Sequence, residues 1–148
     1  MAITTAMCTS FKSELLGGQH DLDTDTLKLA LIKASPSGTY GAATTNYSDV
    51  TGNSDEASGT NYSAGGSNLV GATISTDGTT ATLDFTTDLV FSNVTVSADG
   101  CIIYNTATSP ANKAIAVIDF GGTVSATAGD LTIEFPTADA SNAIVRIA

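Results

Sequence analysis

The chain has no Trp, one His, one Arg, four Lys, two Cys and three Pro in 148 residues. Each shortage removes a class of chemistry. With aromatic residues at only 6% of the chain, little is present to floor a sugar cleft by stacking. His20 has no motif-linked Ser or Cys, so no Ser-His-Asp arrangement can be assembled around it, and a turn or surface position is expected. Cys8 and Cys101 match neither a CxxC nor a zinc spacing. Buried free thiols are the simple reading, with a single bridge between the two as the alternative. Five basic residues against fifteen acidic ones give a net charge of −10. That balance opposes binding to nucleic acid or an anionic membrane, because phosphate contacts need clustered Lys and Arg. No run reaches the ~20 apolar residues of a membrane helix. The opening residues also lack the basic start, apolar run and cleavage site of a secretory signal, so folding in a cytoplasm is expected.

What fills the chain is Thr, Ala, Ser and Gly, with Val and Ile in short alternating runs. LKLALIK places Leu27, Leu29 and Leu31 on one face, with Lys28 and Ala30 on the other, and predicts a half-buried strand. Further strands are expected at Leu69–Ser75, Thr79–Phe85, Val90–Phe91, Val94–Val96, Cys101–Tyr104, Lys113–Phe120, Asp130–Phe135 and Ile144–Ile147. The separators read as turns: Asp77–Gly78, Asp99–Gly100, Ser109–Pro110, Gly121–Gly122 and Gly129–Asp130. Strands this short and this regularly spaced predict an all-β fold, a jelly-roll-like β-sandwich occupying residues 1–148 as one domain. On the same patterning Ile118 and Ile133 are expected inside and Thr80 outside.

Two segments depart from strand patterning. In residues 1–18, Ile3, Met7, Phe11 and Leu15 recur every fourth position before Gly17–Gly18, which predicts a short amphipathic helix or an N-terminal arm that docks on assembly. Residues 35–68 form a long Gly/Ser-rich loop region, with short edge strands expected near Tyr47–Val50 and Thr60–Ala64. Tyr47 and Tyr62 are its candidate anchors for a partner, since Tyr supplies large contact area with a polar tip. Packing of both rings on the protein's own sandwich is the alternative.

Reactive groupings are sparse. Asp21, Asp23 and Asp25 alternate like the start of a calcium loop, but Thr26 stands where that loop needs Gly and Ile32 where it needs Glu. Glu14, Asp84, Asp119 and Glu134 are carboxylates without a pairing signal, and those alternating in strands are expected to face solvent. The reading is a non-enzymatic protein with no metal and no cofactor, working through its surface. A carbohydrate-binding module or hydrolase is the reading from another class.

The order of segments adds to this. AITTAMCTSFKSELLGGQHDL, DTLKLALIKAS, SGTNYSAGG, CIIYN, KAIAVIDFGG and FPTADASNAIVRIA together resemble a family of small virion structural proteins of tailed bacteriophages, similar to capsid decoration or cement proteins. The resemblance spans nearly the whole chain, and its most specific pieces are the N-terminal segment and TADASNAIVRIA. It implies a β module on the outer head surface of the virion, bound to the major capsid protein as a homo-oligomer, a dimer or trimer. A tail, neck or fibre component is the alternative within virions. The stretch around Ser48 to Glu56 is longer and more acidic than the family pattern. Ile3, Met7, Phe11, Leu15, Tyr47 and Tyr62 are accordingly the expected partner-contact residues.

Overall fold

In the computed structural model, which describes residues 2–107, 109 and 111–148, most of the expected strands form and several of them fuse, whereas the edge strands expected near Tyr47–Val50 and Thr60–Ala64 do not form. In chain order the elements are β1 (Ala6–Met7), α1 (Thr9–Leu16), β2 (Leu27–Lys33), α2 (Ser48–Gly52), β3 (Ser67–Asn68), β4 (Ala72–Asp77), β5 (Thr80–Phe85), β6 (Leu89–Asn105), β7 (Lys113–Ile133) and β8 (Val145–Ile147). They make an all-β sandwich with a short N-terminal helix. One sheet has the order β1-β7-β6-β2-β3 and the other β4-β5-β8, with antiparallel neighbours throughout.

The largest difference from the sequence reading is the β6–β7 hairpin. Three expected strands merge into the 17 residues of β6 and two into the 21 of β7. A straight 17-residue strand would run about 55 Å. Register shifts between Phe91 and Val94, Val94 and Val96, Ala98 and Gly100, and Ile103 and Tyr104 interrupt the ladder, and bulges of this kind bend a strand and add local twist. Asp99–Gly100 and Gly121–Gly122 thus lie within strands and do not end them. At Gly100 an added Cβ would sit 2.4 Å from the Ile118 carbonyl oxygen, so a side chain is excluded by close backbone approach. The Pro110 half of the expected Ser109–Pro110 turn lies outside the described residues.

Pairing fixes which face each residue takes. Leu27, Leu29 and Leu31 lie opposite Asn105, Ile103 and Cys101, whereas Lys28, Ala30 and Ile32 lie opposite Tyr104, Ile102 and Gly100. The first set faces the smaller sheet and α1. The second faces the loop of residues 35–66, which forms a third layer over the large sheet. Ala30 and Ile32 are consequently as buried as the leucines, and β2 is covered on both faces instead of one.

Both sheets reverse another expectation. On β7 of the larger sheet Ile118 and Ile133 are only half-buried, whereas on β5 of the smaller one Thr80 and Thr82 are buried. The strand partners of Thr80 and Thr82, Asp77 and Arg146, both hold Ala140: its N–H donates to Asp77 Oδ2, and Arg146 Nη1 donates to its carbonyl. The segment before β8 is thereby tied across the threonine face. Period-2 patterning marks two faces, and only the overlying chain decides which one is wet.

The N-terminal helix is shorter than the Ile3-to-Leu15 spacing predicts. The first residues are extended: Ile3 bridges Tyr40 in parallel, and Ala6 and Met7 pair with Val117 and Ala116. β-branched Ile3, Thr4 and Thr5 suit an added edge strand better than a first helical turn. Helix begins at Thr9 and ends where Gly17 N–H donates to Ser13 O and Gly18 takes φ +69°.

Candidate interaction surface

The loop of residues 35–66 has a short helix, α2, where an edge strand was expected, and Thr60 forms only an isolated bridge to Thr95. Two adjacent carboxylates hold it down. Asp55 is fully buried and accepts from Tyr40 Oη at 2.6 Å, Ser37 N–H at 3.0 Å, Ser37 Oγ at 2.9 Å and Gly38 N–H at 2.7 Å. Lys33 Nζ lies 2.9 Å from Asp55 Oδ1, the oxygen that Ser37 also reaches, and donates to Ser54 O. Burial by itself would raise this carboxyl, but the hydrogen bonds from Tyr40, Ser37, Lys33 and Gly38 outweigh it and hold Asp55 well below the usual carboxylate range. The Tyr40 hydroxyl is pushed up to about 12, first by burial and then by its bond to Asp55.

Glu56 gathers the two candidate tyrosines. Tyr47 Oη donates to its Oε2 at 2.5 Å, Tyr62 Oη to its Oε1 at 3.1 Å, and Gly65 N–H to Oε1 at 2.6 Å. Tyr47 stacks on Tyr104 with centroids 4.6 Å apart, and Tyr62 packs against Phe91 at 5.4 Å. The Tyr62 hydroxyl also accepts from the Leu31 N–H at 2.9 Å. Both phenols are raised by burial first and by Glu56 next. Gly66 makes the layering close: its φ is +68°, and a Cβ there would lie 1.8 Å from the Leu29 carbonyl oxygen. The rings anchor the loop to its own sheet, which is the alternative reading of Tyr47 and Tyr62.

The N-terminal candidates divide. Ile3 and Phe11 are in the core, at 3% and 0% exposure, and a side chain that deep offers nothing to a partner. Met7 and Leu15 are half-buried and border an open groove. Of the two readings of residues 1–18, the short helix forms as α1, and the extended residues before it pair with β7 and Tyr40. Beneath α1, His20 is buried where a surface position was expected. Its ring meets Phe11 edge-on at 4.9 Å, Nε2 lies 2.9 Å from Glu14 Oε2, and Asn105 Nδ2 donates to Nδ1 at 3.1 Å. Lys113 completes this cluster by pairing with Glu14 at 3.2 Å and donating to Gln19. The acidic turn before β2 is used for structure: Asp25 Oδ2 accepts from the Asp21 N–H and from Asn105. Among the described residues no three His, Cys, Asp or Glu groups converge as a metal set.

Cys8 and Cys101 are free, and burial raises both thiols to about 12, far from a reactive thiolate at neutral pH. Sequence reasoning missed Asp55, Glu56 and the His20 cluster. Adjacent carboxylates in a loop flanked by Ser, Gly and Tyr were the available signal, but which donors converge on them is long-range information.

The outer half of the hairpin presents a polar surface. Ser92, Asn93, Thr95 and Ser97 on β6 and Thr123, Ser125 and Thr127 on β7 are exposed. Ser97 and Ser125 hydroxyls meet at 2.7 Å across the pair. Among the described residues the large exposed apolar side chains, Val90 and Val124 of this hairpin included, are all aliphatic. Compared with known protein families, curated proteins and solved structures, the chain matches none.

Proposed function

We propose that this chain is a decoration protein of a tailed-phage head, binding the outside of the assembled capsid through the major capsid protein. The reading rests on the ordered segments that resemble that family, from AITTAMCTSFKSELLGGQHDL to FPTADASNAIVRIA. The geometry that carries it is the hydroxyl face of the outer β6–β7 hairpin, held on a body whose loop and N-terminus are pinned by buried polar bonds. Short Ser and Thr side chains lose less rotamer freedom on docking than Lys or Glu would. Each bound copy stabilises the shell by the linkage of binding to stability, so many copies add up without any reaction. Small symmetric oligomers on the lattice, dimers or trimers, belong to the same proposal.

The test is addition of purified protein to decoration-free heads, with copy number counted on the particles. Saturable binding of many copies over the head is expected, together with greater resistance of the heads to heat. Ser97→Arg combined with Thr127→Arg is expected to lower occupancy at least tenfold with an unchanged melting temperature. Binding confined to one vertex or to tails would replace this reading with the tail or neck one. No binding to any particle would end both.

A further inference from the structure

The smaller sheet ends on β4, and among the described residues this is the longest edge the fold leaves open. β1 and β3 end the larger sheet with two residues each and β8 ends the smaller with three, whereas β4 has six. A bulge, a Pro or a Lys commonly blunts such an edge against pairing. β4 has none of them: its ladder with β5 runs from Ala72 to Asp77 without a register shift.

The phase of that ladder fixes which groups face outward. The Thr86 N–H donates to the Gly71 carbonyl, and a two-residue turn joins Asp77 to Thr80, so residues 71, 73, 75 and 77 bond to β5. Antiparallel bonding alternates along a strand, which turns the N–H and C=O groups of Ala72, Ile74 and Thr76 to the open side. The same three side chains share the face of their partners Phe85, Leu83 and Ala81. Phe85 and Leu83 are in the core, yet Ile74 beside Leu83 is 53% exposed. The core-side face of the smaller sheet therefore overhangs at β4, with nothing laid beneath it.

Charge and register together select the occupant. The chain carries −10, but residues 57–76 contain no charged side chain, and the first acid after them is Asp77. A two-fold axis placed at Ile74 sets Ile74 opposite its own equivalent, Ala72 opposite Thr76 and Gly71 opposite Asp77. That register pairs every outward group of both copies, covers the two Ile74 side chains with each other and keeps the two Asp77 carboxylates at opposite ends. Sliding by two residues either way leaves one outward residue of each copy beyond the partner's strand.

We propose that two copies of this chain join edge to edge through antiparallel β4 strands, so that two three-stranded sheets become one continuous sheet. Such a dimer is the oligomer of the decoration reading made specific, and it rests on that reading only for the expectation of a symmetric assembly.

The test is sedimentation of the purified full chain, without heads, over a hundredfold range of concentration. The mass is expected to rise from one 14.9 kDa chain to two. Ile74→Cys is expected to cross-link the dimer on mild oxidation, since Cα atoms across a hydrogen-bonded pair lie about 5.5 Å apart, within disulfide reach. Val90→Cys, at a site 45% exposed on β6, is expected to stay uncross-linked. Ile74→Lys sets like charges opposite each other and should weaken dimerisation at least tenfold, with an unchanged melting temperature of the dilute chain. A single-chain mass at every concentration, a trimer, or a dimer that Ile74→Lys leaves intact would overturn the proposal. So would a chain that stays single yet loses head occupancy with Ile74→Lys, which would make a strand of the capsid protein the occupant. A single chain that coats heads regardless of Ile74 would end this inference and leave the decoration reading standing. An Ile74-dependent dimer that binds no particle would support the edge pairing and end the decoration reading.

Discussion

The two halves of the β6–β7 hairpin belong to one ladder and differ in almost everything else. In the inner half Cys101–Asn105 and Lys113–Val117 are buried without a break, because the smaller sheet and α1 cover one face and the loop of residues 35–66 covers the other. In the outer half Val94, Val96 and Ala98 are buried while Thr95 and Ser97 are exposed, and most of β7 from Gly121 to Asp130 faces solvent. A β-ladder satisfies its backbone equally well in both settings. What differs is the material laid over it, so the inner half holds the fold together and the outer half is available to touch something else.

The most severe way to test that division is to shorten one apolar side chain in each half. Ile103→Ala, at a fully buried position, is expected to cost about 2–5 kcal/mol in chemical denaturation. Val124→Ala in the outer half, where the side chain is 37% exposed, is expected to cost under ~1 kcal/mol. Comparable losses at both would erase the comparison.

A second test removes the overlying layer's anchor. Asp55→Asn leaves Lys33 and its neighbours without their buried carboxylate and is expected to cost about 3 kcal/mol at pH 7. Because the folded carboxyl lies below its unfolded value near ~3.9, its contribution is complete above that pH and is lost as pH falls through and below it. Wild type and Asp55→Asn should therefore converge in stability on acidification below about pH 4. A constant difference down to pH 2 would mean that the carboxylate charge is not what holds the loop.

The smallest expected effect sharpens the outer half. Ser97→Ala with Ser125→Ala removes the exposed hydroxyl pair and should shift stability by no more than ~0.5 kcal/mol. A larger loss would show that this face is part of the fold's own support.

Much of the fold was legible. The alternation in LKLALIK, TATLDF and KAIAV located β2, β5 and the start of β7, and the apolar stripe through Phe11 and Leu15 located α1. The candidate contacts fared unevenly for a physical reason. Ile3, Phe11, Tyr47 and Tyr62 were chosen for apolar or aromatic character at a chain end or in a loop, and that character serves a protein's own core as well as it serves a partner. Leu16 was not singled out, since nothing local says that a leucine at a helix end stays uncovered.

Composition and local order by themselves determined an acidic, β-rich chain with inert spacing of its cysteines, a helix ending at Gly17–Gly18 and strands that alternate in period two. Those properties depend on side chains a few residues apart and on backbone preferences that every residue carries with it. Tertiary structure alone decided that five short strands become one bent hairpin, that β2 and the threonines of β5 are covered on both faces, and that Asp55 and Glu56 find their donors. It also decided which apolar residues remain uncovered. Each of those outcomes depends on segments tens of residues apart in sequence meeting in space, and coverage by a distant segment leaves no period in the chain that is covered.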